Sequence, residues 1–181
     1  MHKTIVYLTG FMGAGKSTIG PILANTIGWD FFDLDKEIER IEDKKIKEIF
    51  NQSGEEYFRQ LETKVLKMIS ANERKIISLG GGTIVNPENL SFINETGILI
   101  YLKTNSDVAF KRLQHKRDRP AILIDDEENF DEKLKVKISE LMAEREKYYL
   151  KAKISIETSN GSVGSVIDKI VAQLKHFITL S

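Results

Sequence analysis

The stretch GFMGAGKSTIG, Gly10 to Gly20, follows the apolar run TIVYLT and precedes PILANTIG. Gly10, then four residues, then Gly15-Lys16-Ser17 is the spacing of a phosphate-binding loop, set between a strand pattern and a helix pattern as its mechanics require. The glycines let backbone N–H groups turn toward a phosphate, and the start of the following helix adds its partial positive charge. In such a loop Gly13, Ala14, Gly15, Lys16, Ser17 and Thr18 surround a nucleoside triphosphate. Lys16 would bridge the β- and γ-phosphates and the Ser17 hydroxyl would ligate Mg2+. A dinucleotide-binding turn is excluded, because G-x-G-x-x-G counted from Gly13 would need glycine where Thr18 stands.

The loop confines the chain to an α/β architecture, and the rest of the sequence agrees. Short apolar runs alternate with stretches of helical period, as in a parallel sheet with crossover helices. Strands are expected at TIVYLT, DFFDLD, KIISLG, GILIYL and KISIET. The fold expected is a three-layer P-loop kinase, a five-stranded parallel sheet flanked by helices, with a mobile lid. The first helix should bury Ile19, Ile22, Leu23 and Ile27, and a second should run from about Lys36 to Phe50. A third should open at Ser53 with Glu56 as its capping box and point Phe58, Leu61, Val65 and Met68 inward. Others follow Asn86-Pro87, cover about 106–115, span about 128–150 and end the chain at about 162–177. The charged segment HKRDRPAILIDDEEN, about 115–129, is the lid candidate. At 181 residues and 41% hydrophobic content one domain is expected over 1–181, with a substrate-binding helical region at about 34–62.

Composition removes several classes. With 27 Lys+Arg against 27 Asp+Glu there is no bulk charge to draw a nucleic acid or an acidic membrane, so any anion must be held locally. Cysteine is absent, which excludes disulfide and thiolate chemistry. The N-terminal apolar run is too brief for a signal segment or a membrane span, so a cytoplasmic protein is expected. A signalling GTPase would carry D-x-x-G and N-K-x-D, and neither occurs. Small-molecule kinases and simple ATPases remain.

The acceptor side rests on four features. FFDLD ends the second strand with Asp33 and Asp35, which share a face if the chain stays extended. One could serve Mg2+ and the other a substrate hydroxyl, unless Asp35 simply caps the next helix. In YFRQLE, Arg59 and Glu62 are adjacent on a helix, as a surface ion pair or as a guanidinium presented to a carboxylate ligand. Gly80, Gly81 and Gly82 after the third strand would let a ligand approach the backbone closely, or form a flexible turn. Arg145 falls on the otherwise apolar stripe Leu134, Ile138, Leu141, Tyr148, so it either meets an internal carboxylate or faces the pocket. In the lid candidate, Arg117 reads as solvated, whereas Arg119, fixed by Pro120, could close over a γ-phosphate. Two inward arginines in a chain of zero net charge point to an anionic small molecule.

Taken in order, GFMGAGKSTIG, FFDLD, GEEYFRQLE, ISLGGGT, RP and REKYY resemble the shikimate kinases, in the fold group of nucleoside-monophosphate kinases, over nearly the whole chain. That resemblance implies ATP- and Mg2+-dependent phosphorylation of the shikimate 3-hydroxyl, a step toward chorismate and the aromatic amino acids. It implies Mg2+ at Ser17 and Asp33, phosphate stabilisation by Lys16 and Arg119, and shikimate held by Asp35, Arg59, Gly80, Gly81, Gly82 and Arg145. Arg112 and the loop after ISIET align with groups near the adenine. Catalysis would then rest on Lys16, Asp35 and Arg119, in a monomer that binds neither nucleic acid nor membrane. The family's lid usually reads R-P-L-L where this chain has RPAIL, a departure that keeps the segment apolar after the proline. The rival readings are another small-acid kinase of the same fold, gluconate kinase-like, or a nucleotide-binding homologue without catalysis.

Overall fold

The computed structural model describes residues 4–115, 122 and 129–178. Five strands, β1 Ile5–Thr9, β2 Asp30–Asp33, β3 Lys75–Ser78, β4 Ile98–Lys103 and β5 Ile154–Glu157, form one parallel sheet in the order β2-β3-β1-β4-β5. Four lie within the apolar runs expected to form them, and β4 runs one residue past its own, to Lys103. β1 is central and wholly buried, and its alternating side chains feed two cores, Ile5 and Tyr7 on one face, Val6 and Leu8 on the other. A strand covered on both faces must be apolar at every position, which is why TIVYLT reads as an unbroken run.

The helices are α1 Lys16–Ile27, α2 Leu34–Glu42, α3 Ile46–Ile69, α4 Pro87–Thr96, α5 Ser106–Leu113, α6 Phe130–Tyr149 and α7 Val163–Leu174. A short 3-10 turn, Thr83–Val85, precedes α4. Among the described residues no helix is long and apolar enough to cross a membrane.

Two helix junctions shape the cleft. The helix expected over 36–50 is two helices, because Asp43 adopts a left-handed conformation (φ 51°) and closes α2. Glu39 then ties the junction, accepting from the Ile46 backbone N–H at 3.1 Å and meeting Lys45 Nζ at 2.9 Å. α3 is entered at Ile46, where Glu48 accepts from the Lys45 N–H at 2.9 Å, but it is two helices joined at Gly54, so the start expected at Ser53 lies beside a real break. Its ladder is broken at Gly54 (φ 80°, ψ 174°), and the segment beyond the kink carries Arg59 beside Gly82, in the loop after β3.

Three side chains also lie elsewhere than expected. Ile22 of α1 is 45% exposed, and Gly20 and Ala24 take the inward places beside Ile19 and Leu23. Met68 is 50% exposed, since the buried stripe of α3 continues through Leu66 and Ile69 instead. On α6 the buried aromatic is Tyr149, with Tyr148 only partly covered.

Candidate active site

The carboxyl ends of β1, β2 and β3 open into a cleft of about 860 Å3, large enough for a nucleotide and a small acid together. Ligands of open α/β sheets bind there because strand order reverses beside β1. One wall is the phosphate-binding loop. Gly10 has φ 143°, and a β-carbon there would lie 2.5 Å from the Leu102 carbonyl oxygen, so only glycine lets β1 turn into the loop beside β4. Gly13 and Gly15 also have positive φ. The loop is anchored from outside as well: Thr158 at the end of β5 donates to the Ala14 carbonyl (3.0 Å), and Arg112 of α5 donates to the Gly13 carbonyl (2.6 Å). Lys16, the first residue of α1, donates to the carbonyls of Gly10 (2.7 Å) and Phe11 (3.2 Å), which holds its ammonium across the loop. Ser17 and Thr18 follow in the first turn of α1 and line the same cleft.

The second wall is built around the three glycines after β3. Thr83 donates to Glu62 Oε1 at 2.7 Å and Arg59 Nη1 donates to Glu62 Oε2 at 3.0 Å, so both carboxylate oxygens of this fully buried residue are satisfied. A β-carbon on Gly80 would stand 3.0 Å from Asp35 Oδ1 and 3.1 Å from Glu62 Oε1; one on Gly82 would stand 3.1 Å from Arg59 Nη2. One on Gly81 would stand 3.2 Å from Arg145 Nη1. The glycine triplet therefore lies against Asp35, Arg145 and Arg59, one beside each glycine along the same cleft, and a side chain at any of the three would crowd its neighbour.

Each candidate can now be located. Asp33 and Asp35 are brought together, though not by an extended chain. Asp33 ends β2 and caps α2, its carboxylate accepting from the Lys36 N–H at 3.3 Å, so the capping role falls to Asp33, while Asp35 occupies the first helical turn and faces the glycines. Arg59 is no ordinary surface pair. It is held by buried Glu62 at 3.0 Å and by Glu55 at 3.2 Å, and Glu55 is exposed and displaceable. Burial opposes the charge of Arg59, but Glu62 and then Glu55 outweigh it and keep its pKa above the ordinary value. Arg145 faces the cleft, and its partner among the described residues is the Tyr149 phenol rather than a carboxylate. Arg117 and Arg119, with nearly all of the lid candidate at 115–129, lie outside the described residues.

Four groups in the site carried little or no signal in the sequence. Glu62 was visible as a partner for Arg59, but its burial and its bond to Thr83 were not. Thr83 and Thr158 are threonines among other threonines, and only the closed fold shows their partners. Tyr149 donates to the Gly81 carbonyl at 2.8 Å. Its phenol is pushed up to about 12 by burial, against the opposing pull of the Arg145 guanidinium, and so stays neutral at physiological pH.

Among the described residues no group of three or more His, Asp or Glu side chains could hold a metal ion alone. Ser17 and Asp33 nonetheless line one cleft beside the loop, a hydroxyl and a carboxylate that suit Mg2+ when phosphate oxygens complete its shell.

The shikimate kinase family model matches residues 12–175. A shikimate kinase of Chlorobium phaeobacteroides is 42% identical over 178 residues, covering 98% of this chain and 94% of that protein. Among solved structures, a shikimate kinase from Acinetobacter baumannii in complex with shikimate superposes with a TM-score of 0.85 at 33% identity, over 96% of this chain and 93% of that one. The shikimate kinase from Bacteroides thetaiotaomicron gives 0.86 at 31% identity, over 95% and 98%.

Proposed function

This chain belongs to the shikimate kinase family, and from that premise we propose how its cleft carries out phosphoryl transfer from ATP to shikimate. The observation that carries the reading is the meeting of Asp35, Arg59 and Arg145 at the three glycines, across the cleft from Lys16. Shikimate has one carboxylate and three hydroxyls, and this wall offers two guanidinium groups and one carboxylate. Arg59 and Arg145 take the substrate carboxylate, with Glu55 giving way at Arg59. Asp35 accepts a hydrogen bond from the 3-hydroxyl and orients its oxygen toward the γ-phosphorus.

In the transfer, the hydroxyl oxygen forms a bond to the γ-phosphorus as the bond to the β–γ bridging oxygen breaks. The hydroxyl proton passes to the Asp35 carboxylate, and ADP leaves with the bridging oxygen. Because the transition state is loose, positioning and charge stabilisation matter more than a strong base. The loop N–H groups and Lys16 stabilise charge on the phosphates, and Arg119 would add to this from the lid. Mg2+, held by Ser17 and Asp33, would neutralise phosphate charge. Arg112, bonded to the Gly13 carbonyl and lining the cleft, would meet the nucleotide near its adenine.

The assignment of Arg59 is tested by Arg59→Lys. Lysine keeps the positive charge that buried Glu62 requires but has no fork with which to hold Glu62 and a ligand together. Calorimetric affinity for shikimate should fall about tenfold or more, with ATP affinity unchanged, since each lost charge-assisted bond is worth about 1.5–3 kcal/mol. Unchanged shikimate affinity would remove Arg59 from the binding site.

A further inference from the structure

Tyr149 lies at the C-terminal end of α6, one turn beyond Arg145, and is 1% exposed. Its ring stacks on Tyr101 of β4, centroids 5.1 Å apart and planes inclined by 26°, so the phenol oxygen is aimed by two packed rings and has little rotational freedom. That oxygen donates to the Gly81 carbonyl at 2.8 Å, and the Arg145 guanidinium lies beside the same glycine, its charge opposing the effect of burial on the phenol. A β-carbon at Gly81 would lie 3.2 Å from Arg145 Nη1 and 3.5 Å from Tyr149 Oη. Backbone platform, phenol and guanidinium therefore form one contiguous unit. Arg145 has no carboxylate partner among the described residues, in contrast to Arg59, which is fixed by Glu62. Without the phenol, the flexible Arg145 side chain would lose the group that, among the described residues, sets its direction.

We propose that Tyr149 is a positioning residue for the acceptor, its phenol joining the Gly81 carbonyl to the Arg145 guanidinium so that platform and carboxylate clamp hold one geometry. The inference rests on the reading of Arg145 as a carboxylate-binding group. It gives the two arginines different supports: buried charge for Arg59, a neutral aromatic hydroxyl for Arg145. A neutral support leaves the positive charge of Arg145 for the ligand, since among the described residues no anion must be displaced from it.

The test is Tyr149→Phe, which keeps the ring and its stacking and removes only the oxygen. KM for shikimate should rise about tenfold while KM for ATP stays within about twofold and melting shifts by only a few degrees. In an Arg145→Lys background the same change should add less than about twofold, because the two residues act as one unit. Gly81→Ala attacks the link from the other side and should reproduce the selective rise; it decides the matter if Tyr149→Phe does not fold. Shikimate KM unchanged in either variant, with the wild type active, overturns the inference. So does an equal penalty with and without Arg145. Absence of shikimate-dependent turnover in the wild type is a different outcome, and it overturns the functional reading beneath the inference.

Discussion

Replacing Lys16 with methionine should lower turnover about a thousandfold, the scale on which a single preorganised charge-stabilising donor contributes to transition-state binding. Its ammonium lies 2.7 Å from the Gly10 carbonyl and 3.2 Å from that of Phe11, so it is already held over the loop that receives the phosphates. Methionine keeps the unbranched stem and a high helix propensity at the first position of α1, and so removes the charge without disturbing the helix. The fold loses the bonds to the Gly10 and Phe11 carbonyls, which at about 1 kcal/mol each should move melting by a few degrees. Steady-state kinetics and thermal melting measured together separate the two effects. A variant retaining a tenth or more of wild-type turnover would mean that Lys16 only shapes the loop.

The second large effect is expected at Asp35, and the two substitutions there should differ in kind. Asp35→Asn keeps the shape that meets Gly80 but cannot take up a proton, so turnover should fall about a hundredfold while shikimate affinity changes by less than about fivefold. Asp35→Ala removes the hydrogen-bond acceptor as well and should lose affinity and rate together. Equal loss of affinity and of rate in the asparagine variant would count against a proton-accepting role and leave Asp35 as an orienting group. Calorimetry for affinity and single-turnover kinetics for rate distinguish these outcomes.

What could be read from the sequence follows from how local each signal is. The phosphate-binding loop and the five strands were legible because a buried parallel strand must be apolar throughout and a phosphate loop needs its glycines at fixed spacing. The break between α2 and α3 was not, because Asp43, Lys44 and Lys45 are all compatible with a helix. What ends α2 is a left-handed Asp43, and what fixes the restart is a contact across the junction, from Glu39 to the Ile46 N–H. A different boundary, between β2 and α2, put Asp35 at the end of a strand, when Asp33 supplies the cap and Asp35 belongs to the helix. In α3 the inward stripe could continue from Val65 at three or four residues; the fold takes four, to Ile69, and leaves Met68 in solvent. The adjacent tyrosines 148 and 149 posed the same choice on α6, and the buried one bears on the site. Arg145 could be picked out as an arginine on an apolar stripe and Arg59 by its spacing from Glu62, but their supports, Glu62 with Thr83 and Tyr149 with Gly81, exist only once distant segments are folded together.

The most direct test of the central claim is a coupled ADP-release assay with ATP, Mg2+ and shikimate, run beside gluconate and AMP as alternative acceptors. ADP release that depends on shikimate, with neither alternative supporting it, is the predicted result. Release with gluconate or AMP and none with shikimate would leave the fold and the phosphate loop standing and contradict the assignment of Asp35, Arg59, Arg145 and the glycine triplet.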